Sequence, residues 1–384
     1  MNIDEFTDKQ RANLTKTSKG AWTFVPPPLP PSIDMSRIAL DLGAAAAAIG
    51  ELKGAARRLQ NPYMLITPLV RKEALTSSAI EGTITTIDDM LLEQVSAPGL
   101  SDDNAREAFN YVRALDEATK LLKSLPISHR VINAAHKILF TGLSPARGAG
   151  KRSGEYKTAQ NAIGKTGDDE TTARYVPPPP AQTVQCMNHL EAFINRDNRL
   201  AGEELLDIGT AHYQFEAIHP FSDGNGRIGR MLVTLMAQQL KLVEHPLLHV
   251  SADIENNKSD YIDRLFAVSS QGDWEGWLAF FLQTVRRSCT SATAKVDQVI
   301  ELQREFREKA LSHRSNYRLA TIVDSLFTKE WITVSEAQQL CGVTFPTAQS
   351  DLETLVQLGI LQQMKRPRPA IFVAPAIWSL SGRN

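Results

Sequence analysis

Apolar residues recur at helical spacing through most of the 384-residue chain. Ile228, Met231, Leu232, Leu235, Met236 and Leu240 form one stripe, and Leu205, Ile208, Ala211, Phe215 and Ile218 form another. Both spacings predict helices with one apolar face. Residues 35–140 keep that period, with breaks at Asn61-Pro62, Gly82, Pro98-Gly99 and Pro126, and 104–125 carries it through Ala108, Val112, Leu115 and Leu122. Residues 68–81 read as a helix with Leu69, Thr76 and Ile80 on one side and Gly82 as its C-terminal stop. Trp274, Trp277, Phe280 and Phe281 form a cluster expected in the core, and 294–313 reads as a long polar connecting helix. Strand patterns are short: 156–163 and 174–176 predict a hairpin, stopped by Pro177-Pro178-Pro179-Pro180. From Tyr317 the pattern resets. Helices are expected at 319–327, at 334–340 with Ser335 as N-cap, and at 344–358, followed by short strands at 360–364 and 370–373. The fold class is mainly α, with a small winged helix-turn-helix at the C-terminal end.

Composition narrows the function classes. Lys and Arg number 42 against 43 Asp and Glu, so no polyelectrolyte argument favours nucleic acid or an anionic membrane. Cys186, Cys289 and Cys341 lie far apart without metal-ligand spacing and do not form a disulfide framework, which favours a reducing, cytoplasmic setting. The acidic N-terminus has no signal-peptide core. The most apolar run, 38–52, contains Asp41 and Glu51 and is too short to span a bilayer, so no membrane contact is expected. The Pro26–Pro31 run favours polyproline II and reads as a strap on its own domain rather than as a ligand for another protein.

The candidate chemistry concentrates in His219-Pro220-Phe221-Ser222-Asp223-Gly224-Asn225-Gly226-Arg227-Ile228-Gly229-Arg230. A glycine-rich turn opening a helix is an anion site, because free backbone N–H groups point outward there. Gly224 and Gly226 allow close approach of a phosphate, and Asn225 tolerates a left-handed backbone. Arg227 and Arg230, three apart, share one helix face opposite the apolar stripe and oppose the macrodipole unless a polyanion sits there. An imidazole at His219 can take a hydroxyl proton, and Asp223 is a hard oxygen ligand suited to Mg²⁺. Phe221 is expected to point inward as an anchor.

This segment resembles the Fic family motif His-x-Phe-x-Asp/Glu-Gly-Asn-Gly-Arg-x-x-Arg at every defined position. The resemblance implies a helical nucleotidyltransferase fold that binds ATP and Mg²⁺ and moves AMP onto a Ser, Thr or Tyr hydroxyl of a target protein. It leaves open AMP removal, or transfer of another nucleotide or phosphate-containing group, by the same site. It implies His219 as catalytic base, Asp223 as metal ligand, and Gly224, Asn225, Gly226, Arg227, Ile228, Gly229 and Arg230 as ATP contacts. The hairpin at 156–176 resembles the family's flap, which holds a target backbone by strand addition. Residues 251–265 are similar to a family segment whose asparagine and aromatic residue hold the base, which implies Asn257 and Tyr261. There Lys258 and Ile262 depart from the family pattern. Ser77-x-x-x-Glu81-Gly82 resembles the family's inhibitory motif, which implies that Glu81 pairs with Arg230 and obstructs the γ-phosphate. Self-modification and a homodimer are also implied as possibilities.

The expected organisation is a proline-rich arm at 1–35, a helical region with the inhibitory helix at 36–110, the catalytic core at 111–290, a connecting helix at 291–316 and the winged helix at 317–384. A DNA-binding regulator is the alternative of another class. Residues 344–358 contain Asp351 and Glu353 and no Lys or Arg, which disfavours DNA, leaving only the 365–369 wing basic. The 148–153 loop lacks the glycine spacing and the Ser or Thr of a phosphate loop. His136 and His212 fall inside helices and are expected to pack rather than react.

Overall fold

The computed structural model describes residues 1–384 except 60, 96–101, 145–146, 148–151, 166, 314–315, 365–369 and 381–384. The break at Pro98-Gly99, most of the basic 148–153 loop and the 365–369 wing therefore lie outside the described residues. In chain order the elements are α1 (Asp8–Arg11), β1 (Leu14–Lys16), β2 (Trp22–Phe24), α2 (Ala39–Ala56), α3 (Tyr63–Ile80), α4 (Ile87–Val95), α5 (Asp103–Leu121), α6 (His129–Leu139), α7 (Pro180–Ile194), α8 (Glu204–Ile218), α9 (Asn225–Gln239), α10 (Ser251–Asn256), α11 (Lys258–Gln271), α12 (Trp274–Leu311), α13 (Asn316–Leu326), β3 (Trp331–Thr333), α14 (Val334–Cys341), α15 (Phe345–Gln357), β4 (Gln362–Gln363), β5 (Ile371–Val373) and α16 (Pro375–Ser379). The fold is mainly helical, with two small antiparallel sheets among the described residues.

One compact unit comprises Met1–Ile49, Glu73–Thr85 and Asp103–Ser288. Helices α5 to α9 pack together here, and Tyr111, Phe215, Phe221, Trp277 and Phe281 are fully buried between elements. Gly209 lies within α8, where glycine costs about 1 kcal/mol relative to alanine. Its use is close packing: a Cβ there would come within 2.7 Å of the Phe281 ring, and its carbonyl accepts from Trp277 Nε1 at 2.9 Å. The Trp274 to Phe281 cluster is thus core, in one uninterrupted 38-residue helix with the segment expected as a separate connector. The N-terminal arm folds as α1 and the β1–β2 hairpin, neither of which periodicity indicated. It straps onto residues 176–177, with Phe24 N–H donating to Val176 O at 2.9 Å and Thr23 Oγ1 to Pro177 O at 2.5 Å.

Two expectations change in this unit. Among the described residues the hairpin at 156–176 reduces to a single bridge, Ile163 with Tyr175. The supposed polar side of α9 is buried: Arg227, Arg230 and Thr234 are each at most 2% exposed. Each bonds a buried partner, on α5, on α3 and at residue 248 respectively.

The second unit comprises Gly50–Lys72, Thr86–Asp102 and Cys289–Asn384. Helices α13 to α15 accompany a three-stranded antiparallel sheet of order β3-β5-β4, in which Ile332 pairs with Phe372 and Phe372 with Gln363. Strand β3 was not expected from the sequence; it is three residues long, too short for a periodic signal. The N-cap of α14 is Thr333, not Ser335. Thr333 Oγ1 accepts from Glu336 N, and the Glu336 carboxylate accepts from Thr333 N, a reciprocal capping box. Asp351 is buried and accepts two hydrogen bonds from Arg318, at 2.7 and 3.0 Å. Among the described residues no helix is long and apolar enough to cross a membrane.

Candidate active site

Helices α8 and α9 meet around a loop in which almost every polar group is engaged. His219 ends α8 with φ 48° and ψ 60°, a left-handed conformation that costs a non-glycine residue about 1–2 kcal/mol. Gly224, with φ 76°, turns the chain into α9, and a Cβ there would press on the Phe140 ring at 3.0 Å. Asn225 closes the loop: its Oδ1 accepts from Phe221 N and its Nδ2 donates to Phe221 O, both at 2.8 Å. Phe221 points inward as expected, fully buried and stacked on His136 at 3.7 Å between ring centroids. His136 Nδ1 accepts from Gly154 N at 2.8 Å, so its proton lies on Nε2, which donates to Asp223 O at 2.9 Å. Burial lowers the His136 pKa to about 4, keeping this neutral tautomer.

A cavity of about 600 Å³ opens beside the loop, and His219, Glu81, Glu216, Gly226, Arg230 and Tyr261 line it. The Arg230 guanidinium is 1% exposed. Its Nε donates to Ser77 Oγ at 2.9 Å, and its Nη2 donates to Ser77 O and Glu81 Oε1, each at 2.8 Å. Desolvation works against the Glu81 carboxylate, but the Arg230 charge and hydrogen bond, with Arg227 and His219 adding, hold its pKa below the ordinary value. The carboxylate lies over Gly226, where a Cβ would overlap it. Glu81 thus occupies the start of α9, where the macrodipole and first-turn N–H groups favour an anion. Gly82 leaves α3 with φ 89°.

Burial lowers His219 to about 4, with the Lys157 charge adding, so the imidazole is neutral near pH 7. Glu216, one turn earlier, is pushed up to about 7 by burial, with Arg230 opposing and Glu81 adding. His212 donates from Nδ1 to Gly229 O at 2.9 Å, so its Nε2 accepts from Tyr261 Oη at 2.9 Å. Burial lowers His212 to about 4 and preserves that neutral form, pinning the Tyr261 ring against the cavity.

The remaining expected contacts divide. Asp223 is half-buried, and its Oδ1 accepts from Gly224 N at 2.6 Å and lies 3.5 Å from Arg227 Nη2. Among the described residues no three His, Cys, Asp or Glu side chains converge on a metal position. Asp223 is not among the residues lining the cavity, but a single carboxylate at its side fits Mg²⁺, which is commonly held by one or two carboxylates together with substrate phosphates and water. Arg227 does not line the cavity; it is buried against Glu107, which also accepts from Thr83 Oγ1 at 3.1 Å. Ile228 is a core residue, and Gly229 is packed where a Cβ would meet Glu216 and Phe215. Asn257 is placed away from the cavity, its Nδ2 donating to Asp253 O at 2.8 Å to cap α10. Its neighbour Lys258 lines the cavity instead and donates to Ile80 O at the end of α3.

Residues 40–120 match the Fic/DOC family N-terminal region, and residues 126–237 match the Fic/DOC family. The chain belongs to the Fic/DOC family. Among curated Fic relatives, a protein adenylyltransferase Fic of Aedes aegypti is 25% identical over 193 residues, 49% of this chain and 34% of that protein. A probable protein adenylyltransferase of Aquifex aeolicus is 27% identical over 207 residues, 51% of this chain and 54% of that one. The chain thus spans about a third to a half of the length of these relatives. A Fic family protein from Desulfovibrio desulfuricans G20 shares the fold across 90% of this chain and 98% of its own, with a TM-score of 0.57 at 20% identity. A Fic domain containing signaling protein from Bacteroides thetaiotaomicron covers 65% of this chain and 97% of its own, with a TM-score of 0.50 at 20% identity.

Several residues around the loop and cavity carried no local signal. His136, expected only to pack, holds the loop through Asp223 O, and Glu107, for which the sequence offered no reading, holds Arg227 on α9. Glu216 had one usable clue: a carboxylate in the last turn of α8, disfavoured by the helix dipole and three residues before His219.

Proposed function

We propose that this protein transfers AMP from ATP to a hydroxyl side chain of a target protein, and that Glu81 holds it in a restrained state. The observation that carries this reading is the Glu81–Arg230 pair seated over Gly226, beside a neutral histidine in the same cavity. A phosphate chain needs the helix start and the buried guanidinium that Glu81 now uses. Names of the curated relatives support ATP and a protein acceptor as substrates.

In the reaction, the acceptor oxygen attacks the α-phosphorus, the bond to the bridging oxygen of the β-phosphate breaks, and pyrophosphate leaves. His219 takes the acceptor's proton. Its depressed pKa keeps the lone pair free, and entry of a triphosphate beside it raises its basicity toward the working pH. Arg230 balances charge on the leaving phosphates, and the start of α9 cradles them. Arg227 acts from behind, fixed by Glu107, by setting the field at the same helix start. Asp223 would hold Mg²⁺, which supplies charge neutralisation between phosphate groups. Tyr261, oriented by His212, offers an apolar wall for the base. The three free thiols fit a reducing compartment such as the cytoplasm.

The test is incubation of the full chain with α-labelled ATP and Mg²⁺, alone and with lysate, and mass spectrometry of labelled protein. Transfer of an AMP mass to a Ser, Thr or Tyr, lost in His219→Ala, supports the reading. Labelling from γ-labelled ATP, or undiminished labelling when His219→Ala is added to Glu81→Gly, refutes it.

A further inference from the structure

Five consecutive backbone carbonyls, from Ala217 to Phe221, accept hydrogen bonds from one other stretch of chain. Tyr175 Oη donates to Ala217 O at 2.9 Å, and Lys157 Nζ to Ile218 O at 3.3 Å. Asn161 Nδ2 donates to His219 O at 3.1 Å and to Phe221 O at 3.0 Å, and Lys157 N–H donates to Pro220 O at 2.8 Å. Lys157 Nζ also donates to Asn161 Oδ1 at 2.8 Å. That contact leaves the amide one orientation, with its NH₂ toward the loop. The last carbonyls of a helix have no partners within it, and the macrodipole favours a cation beside them. Buried Lys157, its pKa lowered to about 7 by burial, and the Asn161 amide supply donors where α8 ends and His219 enters a left-handed turn.

We propose that Asn161, oriented by Lys157, is a positioning residue for His219, fixing the turn that presents its imidazole to the cavity. The proposal rests on reading His219 as the base. A plain structural clip would hold the loop for stability alone. A positioning device makes turnover depend on the two amide donors while nucleotide binding does not, because Arg230 and the start of α9 are held separately by α3 and α5.

The test uses the full chain carrying Glu81→Gly, so that turnover is measurable, with Asn161→Asp, Asn161→Ser, Asn161→Ala, Lys157→Met and His219→Ala added one at a time. Turnover, KM for ATP and Tm are measured for each. Asn161→Asp keeps the size and the Lys157 contact but loses both donors. It is expected to lower kcat about 10–100-fold with KM for ATP within about threefold, as a small misplacement of a reacting group does. Asn161→Ser, with one donor, should fall between wild type and Asn161→Ala. Lys157→Met, which frees the amide to rotate, should also lower kcat at unchanged KM, and decides the matter if the Asn161 variants do not fold. Unchanged kcat in the folded variants overturns the proposal. So does a fall in kcat that tracks a loss of Tm and of ATP affinity together. Activity in His219→Ala refutes the base assignment itself. An inactive His219→Ala beside fully active Asn161 variants refutes only the positioning role.

Discussion

Replacing Glu81 separates charge from bulk at the restraint. Its carboxylate makes one charge-assisted bond of 2.8 Å to a guanidinium that is 1% exposed, while the carboxylate side chain is itself 37% exposed. A hydrogen bond between charged groups contributes about 1.5–3 kcal/mol, and exposure of one partner reduces that through screening, leaving about 1–2 kcal/mol. Removing it therefore shifts the balance between restrained and productive triphosphate seating by about 5–30-fold. Glu81→Gly should raise the initial rate of AMP transfer at saturating ATP by about 5–30-fold. Glu81→Gln keeps the volume over Gly226 and one acceptor for Arg230, but a neutral bond is about half as strong, so it should gain only a few-fold. The gain should appear in kcat, with KM for ATP nearly constant, since correct orientation is what is recovered. Because the Glu81 pKa is below its ordinary value, the pair persists above the carboxylate range and is lost only as pH falls through that lowered value. The ratio of Glu81→Gly to wild-type rates should thus stay flat across neutral and alkaline pH. Equal rates for all three proteins would refute the restraint. A Gln variant as silent as wild type would show that bulk over Gly226, and not charge, is responsible.

Other outcomes follow from the same site. His136 and His212 have folded pKa values of about 4 against 6.5 unfolded, so the unfolded chain binds more protons between those values and stability is lost as pH falls from 6.5 toward 4. Each contributes up to about 3 kcal/mol, and a Tm that does not fall between pH 6.5 and 4.5 would refute their neutral burial. Glu216 runs the other way: its folded pKa of about 7 exceeds 4.5, so stability is lost as pH rises through 7. Glu216→Gln should be more stable than wild type at pH 8 by up to about 3 kcal/mol, with the gap closing at pH 5; a constant gap in Tm would contradict this. Asp223→Ala should weaken the Mg²⁺ dependence of AMP transfer, and an unchanged metal titration removes Asp223 as its ligand. The full chain should not shift duplex DNA near 0.15 M salt, and a salt-sensitive shift would restore the DNA-binding alternative.

The site was legible where chemistry and spacing coincide in one short segment. His219, Asp223 and Arg230 stand in a fixed pattern, and the dipole conflict of Glu81 at the end of α3 matched that of Arg230 near the start of α9. The positions of α5, α8 and α9 followed from the apolar period, whereas α1 and α7 did not. What remained hidden was the burial of the polar side of α9. A hydrophobic stripe marks one buried face, but it says nothing about a second face buried through ion pairs. Arg227 meets Glu107 120 positions away, and no local rule links them. Asn257 failed for a different reason: it ends α10 and opens α11, and its amide is spent on the Asp253 carbonyl. A short motif fixes residue type, whereas the helix break fixes where the side chain goes. The expected hairpin is a single bridge among the described residues, and the backbone N–H of Lys157 is spent on Pro220 O in the loop after α8.

The C-terminal unit shows how structure can weaken one premise without reversing the conclusion. Two acidic residues on α15 argued against DNA when the helix was read as a free surface. Asp351 is buried and bound by both Arg318 nitrogens, so its charge does not face a partner. Glu353 alone remains as an exposed acid, and it accepts from Gln349 Nε2 at 2.7 Å within the same helix. Repulsion of phosphate is therefore smaller than the sequence suggested. The missing attraction is untouched, because no Lys or Arg lies between Thr344 and Leu358. DNA affinity rises with each phosphate neutralised, so a helix without cations starts with none of that attraction. The residues that α15 does expose at its start are Thr344, Phe345 and Pro346, and an aromatic ring half open to water suits an apolar protein contact better than a phosphate backbone.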